Sequence, residues 1–120
     1  MVEEDSPVIN SILTSIKKLL GITAIDTSFD TDVLMGINSA LMSLQQLGVG
    51  PDSGFLISSA DDEWSDLLGD RIDLESAKLY VYLKTKLFFD PPQNSFLVEA
   101  IKNQISELDF RINVQAEGGE

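Results

Sequence analysis

DLESAKLYVYLKTKLFFDPP, residues 73–92, decides the fold. Its centre, Leu79-Tyr80-Val81-Tyr82-Leu83, is apolar or aromatic at every position. Wound at 3.6 residues per turn, those side chains cover the whole circumference, and a helix apolar all round is buried all round. The stretch therefore predicts a long helix capped by Asp73 and running to Phe89, buried at the centre of a domain or between subunits. Asp90-Pro91-Pro92 ends it, because a proline disfavours helical geometry in the residue before it. That break is expected to set the angle to the next helix.

Working outward, Asn94 or Ser95 caps a final helix to about Asn113, with Leu97, Ile101, Ile105, Leu108 and Ile112 down one face and Glu107 and Arg111 paired one turn apart. Residues 7–20 predict an amphipathic helix: Ser6 as N-cap, Pro7 in the first turn, Gly21 past the end, and a stripe of Val8, Ile9, Ile12, Leu13, Ile16, Leu19 and Leu20. Lys17 and Lys18 then face water near the negative end of the helix dipole. Residues 31–47 predict another helix, capped by Asp30, with Phe29 stapled onto Leu34 and Leu34, Ile37, Leu41, Leu44 and Leu47 as its stripe. From Gly48 to Ala60 the chain reads as a long glycine-rich loop. Within it, Phe55-Leu56-Ile57 either folds onto the core or forms a short strand paired with a hairpin or a neighbouring chain. Residues 61–68 predict a short helix holding Trp64, Leu67 and Leu68. The fold class is all-α: one domain over residues 1–120, a small bundle of four to five helices with one long Gly-rich loop, and mobile ends at 1–5 and 114–120.

Composition narrows the chemistry. The chain has no cysteine and no histidine, which excludes disulfides, Cys/His zinc sites and nucleophiles paired with histidine. Twenty acids against eight bases give a formal charge of -12, a surface that repels nucleic-acid phosphate. The apolar run Leu79–Leu83 is far too short to span a membrane, and the acidic Met1 to Asp5 is unlike the basic start of a signal peptide. The chain is expected to be soluble, to stay in the cell that makes it, and to need no cofactor. Acids crowd between Asp52 and Glu75, but Asp61-Asp62-Glu63-Trp64-Ser65-Asp66 places Trp64 and Ser65 where a calcium loop needs ligands. No phosphate loop is present, since Gly48-x-Gly50 lacks the third glycine and the lysine. Tyr80, Tyr82, Phe88 and Phe89 read as core and not as a base-stacking platform, which requires an open, basic surround. Nothing here points to an enzyme.

Three segments carry a resemblance. Leu74 to Lys86, then Phe89-Asp90-Pro91-Pro92 with Ser95-Phe96-Leu97-Val98-Glu99-Ala100, and finally Leu108-Asp109-Phe110-Arg111-Ile112-Asn113 together resemble the head–tail connector (adaptor) proteins of tailed bacteriophages and prophages. The resemblance is specific from Leu74 to Asn113 and looser before it. It implies a helical structural protein of the virion neck, made in the bacterial host cytoplasm. The implied assembly is a homo-oligomeric ring beneath the portal protein that extends the DNA channel and docks the next neck or tail protein, with DNA passing unbound. It brings no catalytic residues.

Candidate contact residues follow from the pattern. The far side of the second helix, Asn38, Ser39, Ser43, Gln45 and Gln46, is polar but uncharged, and such groups cost less to desolvate than charges. Asn38, Ser39, Ser43 and Gln46, with Phe55, Leu56 and Ile57 of the loop, are the expected subunit interface. The loop is expected to order against a neighbour, and Val114 and Gln115 are the expected portal contact. The rival reading is a small acidic regulator or DNA mimic, but a mimic needs acids spaced along a helix face, and here the exposed faces carry Asn, Gln, Ser and Lys.

Overall fold

The computed structural model describes residues 9–118, and within them the predicted apolar stripes become five α-helices: α1 (Ile12–Leu19), α2 (Asp30–Gln46), α3 (Trp64–Leu68), α4 (Ser76–Phe89) and α5 (Ser95–Gly118). A single 3-10 turn, Ile72–Leu74, precedes α4. No strand forms among the described residues; Ser11 and Glu63 make one isolated antiparallel bridge. The fold is all-α, as expected.

The core sits around α4, which packs principally against α2 and α5 and more lightly against α1. Ala77, Tyr80, Val81 and Leu83 from α4 meet Val33, Ile37, Ala40, Leu41 and Leu44 from α2 and Ile105, Leu108 and Ile112 from α5. Burial is not complete around α4: Leu79 and Phe88, half a turn apart around the helix, are exposed. The α2–α4 approach is close at Gly36, where a Cβ would lie 3.0 Å from Phe88 and 3.1 Å from the Thr85 methyl. That spacing explains a glycine inside a helix, a position it otherwise weakens by about 1 kcal/mol. Burial above all, with the Asp109 carboxylate nearby, pushes the pKa of Tyr80 well above the ordinary phenol value.

Several local expectations are corrected by contacts between distant residues. The first helix starts after Ser11, whose hydroxyl accepts from the Thr14 amide at 3.1 Å. Residues 9–11 are extended because they pair with the start of α3: the Ile12 amide donates to the Asp62 carbonyl at 3.0 Å, and the Trp64 amide to that of Asn10 at 2.8 Å. Ser6, Pro7 and Val8 lie outside the described residues, as do Met1 to Asp5. Lys17 is not in water but 3% exposed, its ammonium 2.8 Å from Asp30 Oδ1 and 3.2 Å from the Ala24 carbonyl. Its aliphatic stem packs like a hydrophobe while the partner holds the charge. Asp30 consequently lies inside the first turn of α2 facing Lys17, and no side chain caps that helix. Phe29 packs edge-on against Phe89, centroids 5.6 Å apart.

Asp73 likewise does not cap α4. It takes two hydrogen bonds from Arg71, at 2.9 and 2.7 Å, which hold its carboxyl below the usual range. The Asp90-Pro91-Pro92 break falls where predicted, with Lys86 bonded to Asp90 at 3.0 Å and Asn94 Oδ1 accepting from the Phe96 amide at 2.8 Å to start α5. The last helix does not stop at Asn113 but continues to Gly118, tied down where Arg71 donates to the Gln115 carbonyl at 3.0 Å. Residues 119 and 120 lie outside the described part. At about 36 Å, α5 rivals the 39 Å longest dimension of the molecule. No residue of α5 before Ile105 is buried, so Leu97 is exposed where its stripe predicted core, and among the described residues no Glu107–Arg111 ion pair forms.

Candidate interaction surfaces

The first surface is built on α2. Its inner side carries Val33, Ile37, Leu41 and Leu44, so side chains half a turn away point outward: Met35, Ser39, Met42 and Gln46 are all exposed. From Val33 to Ala60 the single charged residue is Asp52, in a chain of net charge -12. Where charge is absent in so acidic a chain, a second surface can approach without repulsion or ion desolvation.

The loop after α2 is folded back beside this face. Asn38 acts as a clip, its amide nitrogen donating to the Ile57 carbonyl at 3.0 Å while its oxygen accepts from the Ile57 amide at 2.8 Å. One side chain thus supplies both bonds that a neighbouring strand would have supplied, and Ile57 is buried in the core. Gln45 holds the near end, donating to the Asp52 carbonyl at 2.8 Å. Between helix and loop lies a groove of about 430 Å³ lined by Met42, Gln45, Ser53, Gly54, Phe55 and Leu56, with Met42 and Leu56 each 58% exposed. Gly54 has φ +97°, a conformation that a side chain would strain.

The seven candidate interface residues divide accordingly. Ser39, Gln46 and Leu56 are exposed on one continuous side, and Phe55 is half-buried in the groove wall. Asn38 and Ile57 are used within the chain. Ser43 is half-buried; its hydroxyl donates to the Ser39 carbonyl and accepts from Lys84 Nζ, both at 3.4 Å. Met35, Met42 and Gly54 belong to this surface although the sequence reading passed over them; two methionines seven residues apart on the side away from the leucine stripe were the available signal.

Replacing Asn38 with alanine is expected to release the loop and to destabilise the fold by about 2 kcal/mol, since two partly buried groups of Ile57 lose their partner. Hydrogen exchange should show the Ile57 amide losing protection while the amides of α4 keep theirs.

The second surface runs along α5. Opposite the buried Ile105, Leu108 and Ile112 stand Phe96 (84% exposed), Phe110 (75% exposed) and Val114. Phe96, Ala100, Asn103, Glu107, Phe110 and Val114 recur in alternating steps of four and three, the spacing of a helix seam. A recess beside Phe110 is lined by Glu107, Arg111, Val114 and Gln115. The two residues expected to face a portal, Val114 and Gln115, are therefore helical, the first exposed and the second half-buried.

Most of the acids between Asp61 and Glu75 serve local structure. Asp62 accepts from the Ser58 and Ser59 amides at 2.9 and 3.2 Å, Glu63 and Asp66 form a reciprocal cap on α3, and Glu75 pairs with Lys78 at 3.0 Å. Among the described residues no group of three or more acids is gathered as a metal site would need.

A family model described as phage connector protein matches residues 12–119. No curated protein and no solved structure matches the chain.

Proposed function

The chain belongs to the phage connector protein family, and on that premise we propose that copies of it close into a ring in the virion neck, beneath the portal protein. The ring extends the DNA channel and presents a docking surface to the next neck or tail component. The observation that carries this reading is the outward side of α2 from Met35 to Gln46 with its adjoining groove, free of charge save for Asp52 at the edge. A monomer in water has no need to keep so long a stretch free of ionic groups when it bears twenty acids elsewhere. The acidic remainder suits a wall past which DNA slides without sticking, because like charge keeps phosphate at a distance.

The family is a structural one, and several acids of this chain, Asp62, Glu63, Asp66, Asp73 and Glu75 among them, fill capping and pairing roles. The same fact weighs against a DNA mimic: Asp62, Glu63, Asp66 and Asp73 are spent on amides and on Arg71, not ranged along an open helix face.

Deleting the gene from the phage that encodes the chain tests the proposal. Electron microscopy of the lysate should show DNA-filled or leaking heads and separate tails, and the chain supplied from a plasmid should restore joined particles. Tailed, infectious particles without the chain would overturn the reading.

A further inference from the structure

We propose that the outer seam of α5 on one copy seats in the α2–loop groove of the next copy, so that the subunit contact is head-to-tail between two different surfaces. The inference deepens the ring reading above and rests on it. Once the core is accounted for, the uncovered apolar side chains include Ile25, Ile72 and Phe88 elsewhere on the molecule and two extended surfaces: the seam of Phe96, Phe110 and Val114, and the groove of Met42, Phe55 and Leu56. They cannot meet within one chain. The inner sides of both α2 and α5 pack on α4, and both surfaces lie on the sides turned away from it.

Shape and charge make each surface the fitting occupant of the other. The Phe110 ring, 75% exposed on the seam, is an apolar group of a size that the hollow of about 430 Å³ lined by Met42, Phe55 and Leu56 can receive. Two copies of the chain repel one another at net charge -12, so contact is favoured where acids are few or are matched by a base. The groove lining carries no charge at all. Arg111, next to Phe110, is exposed and has no acidic partner among the described residues, and Asp52, next to the groove residue Ser53, is exposed and equally unpaired. With Phe110 in the groove, Arg111 beside it and Asp52 at the groove's edge are the opposite charges that the contact can pair. Pairing the seam with itself would instead make a two-fold contact that closes as a dimer; a ring needs two different faces that meet in succession.

The absence of cysteine makes the test clean. Variants Val114→Cys and Ser53→Cys, which keep Phe110 and Leu56, are incorporated together into phage particles and treated with a short bismaleimide. Links between 114 and 53 are expected, with 114–114 and 53–53 links absent, and a chain carrying both cysteines should give a ladder of oligomers. As an independent readout, Arg111→Asp and Asp52→Arg should each lower the yield of tailed particles on the order of tenfold, and the double swap should recover most of it. Predominant 114–114 links, or a double swap no better than the worse single one, would overturn the head-to-tail contact. Particles that hold the chain in the neck but give no 114–53 link would overturn it while leaving the ring reading intact. Tailed particles lacking the chain would overturn both.

Discussion

Phage carrying Ser39→Lys and Gln46→Lys are expected to accumulate filled heads without tails, with infectious titre falling by orders of magnitude. Both residues are exposed on the outward side of α2, and neither is seen to bond a neighbour outside its own helix. Two ammonium groups there turn an uncharged surface into one whose burial requires stripping water from ions with no carboxylate supplied to receive them, a cost of several kcal/mol for each ion left unpaired. The isolated subunit should scarcely notice: surface substitutions of this kind shift stability by about 0.5 kcal/mol, and lysine is at least as good a helix former as serine. Circular dichroism should therefore give an unchanged spectrum and melting point, while microscopy of the lysate shows the defect. Ser43 makes a poorer test, because its hydroxyl already accepts from Lys84 and a lysine there would disturb the fold as well as the surface. Normal tailed particles from the double variant would exclude this face from the contact.

The face was legible because it depends on periodicity alone. Leucines every third or fourth residue place Ser39 and Gln46 on the far side of α2 whatever the rest of the chain does, and equally local signals, an all-apolar run and two prolines, located α4 and the break after Phe89. Legibility failed where a residue's state is set by another far away in sequence. Lys17 looks like a surface lysine until α2 brings Asp30 to its ammonium, 2.8 Å away. Asn38 looks like ordinary polar surface until the loop returns and presents both backbone groups of Ile57. Ser6 is as good a cap as Ser11 by composition; pairing of residues 10–12 with 62–65 selects the second. The double character of α5 was visible in principle. Its stripe through Ile105 was read, while the opposite seam of Phe96, Phe110 and Val114 was passed over because its middle is Ala100, Asn103 and Glu107.

The same long-range pairing makes Trp64→Ala the substitution expected to cost the fold most. Trp64 is buried at the head of α3, where its indole nitrogen donates to Ser15 at 2.9 Å, its backbone amide bonds Asn10, and Lys78 lies 5.9 Å from the ring centroid. The ring is the pin joining three pieces that share no helix: the extended entry to α1, the far end of the loop, and the start of α4. Removing it leaves a cavity the size of an indole that these pieces cannot close without breaking the Asn10 and Asp62 bonds. Truncations of this kind cost about 3–5 kcal/mol, a large part of the total of about 5–15 kcal/mol that holds a domain together. In a domain of this size each kcal/mol is worth about 4 °C, so thermal melting should fall by about 12–20 °C. Trp64→Phe separates packing from the hydrogen bond. It keeps an aromatic ring in place, and the Ser15 hydroxyl retains its bond to the Ile12 carbonyl at 3.1 Å, so the loss should be about 1–2 kcal/mol. Because the loop that Trp64 anchors also forms one wall of the groove, the alanine variant should fail to join heads to tails even at temperatures where most of it remains folded. An alanine variant within about 1 kcal/mol of the parent would mean that the Asn38 and Gln45 bonds hold the loop without the indole.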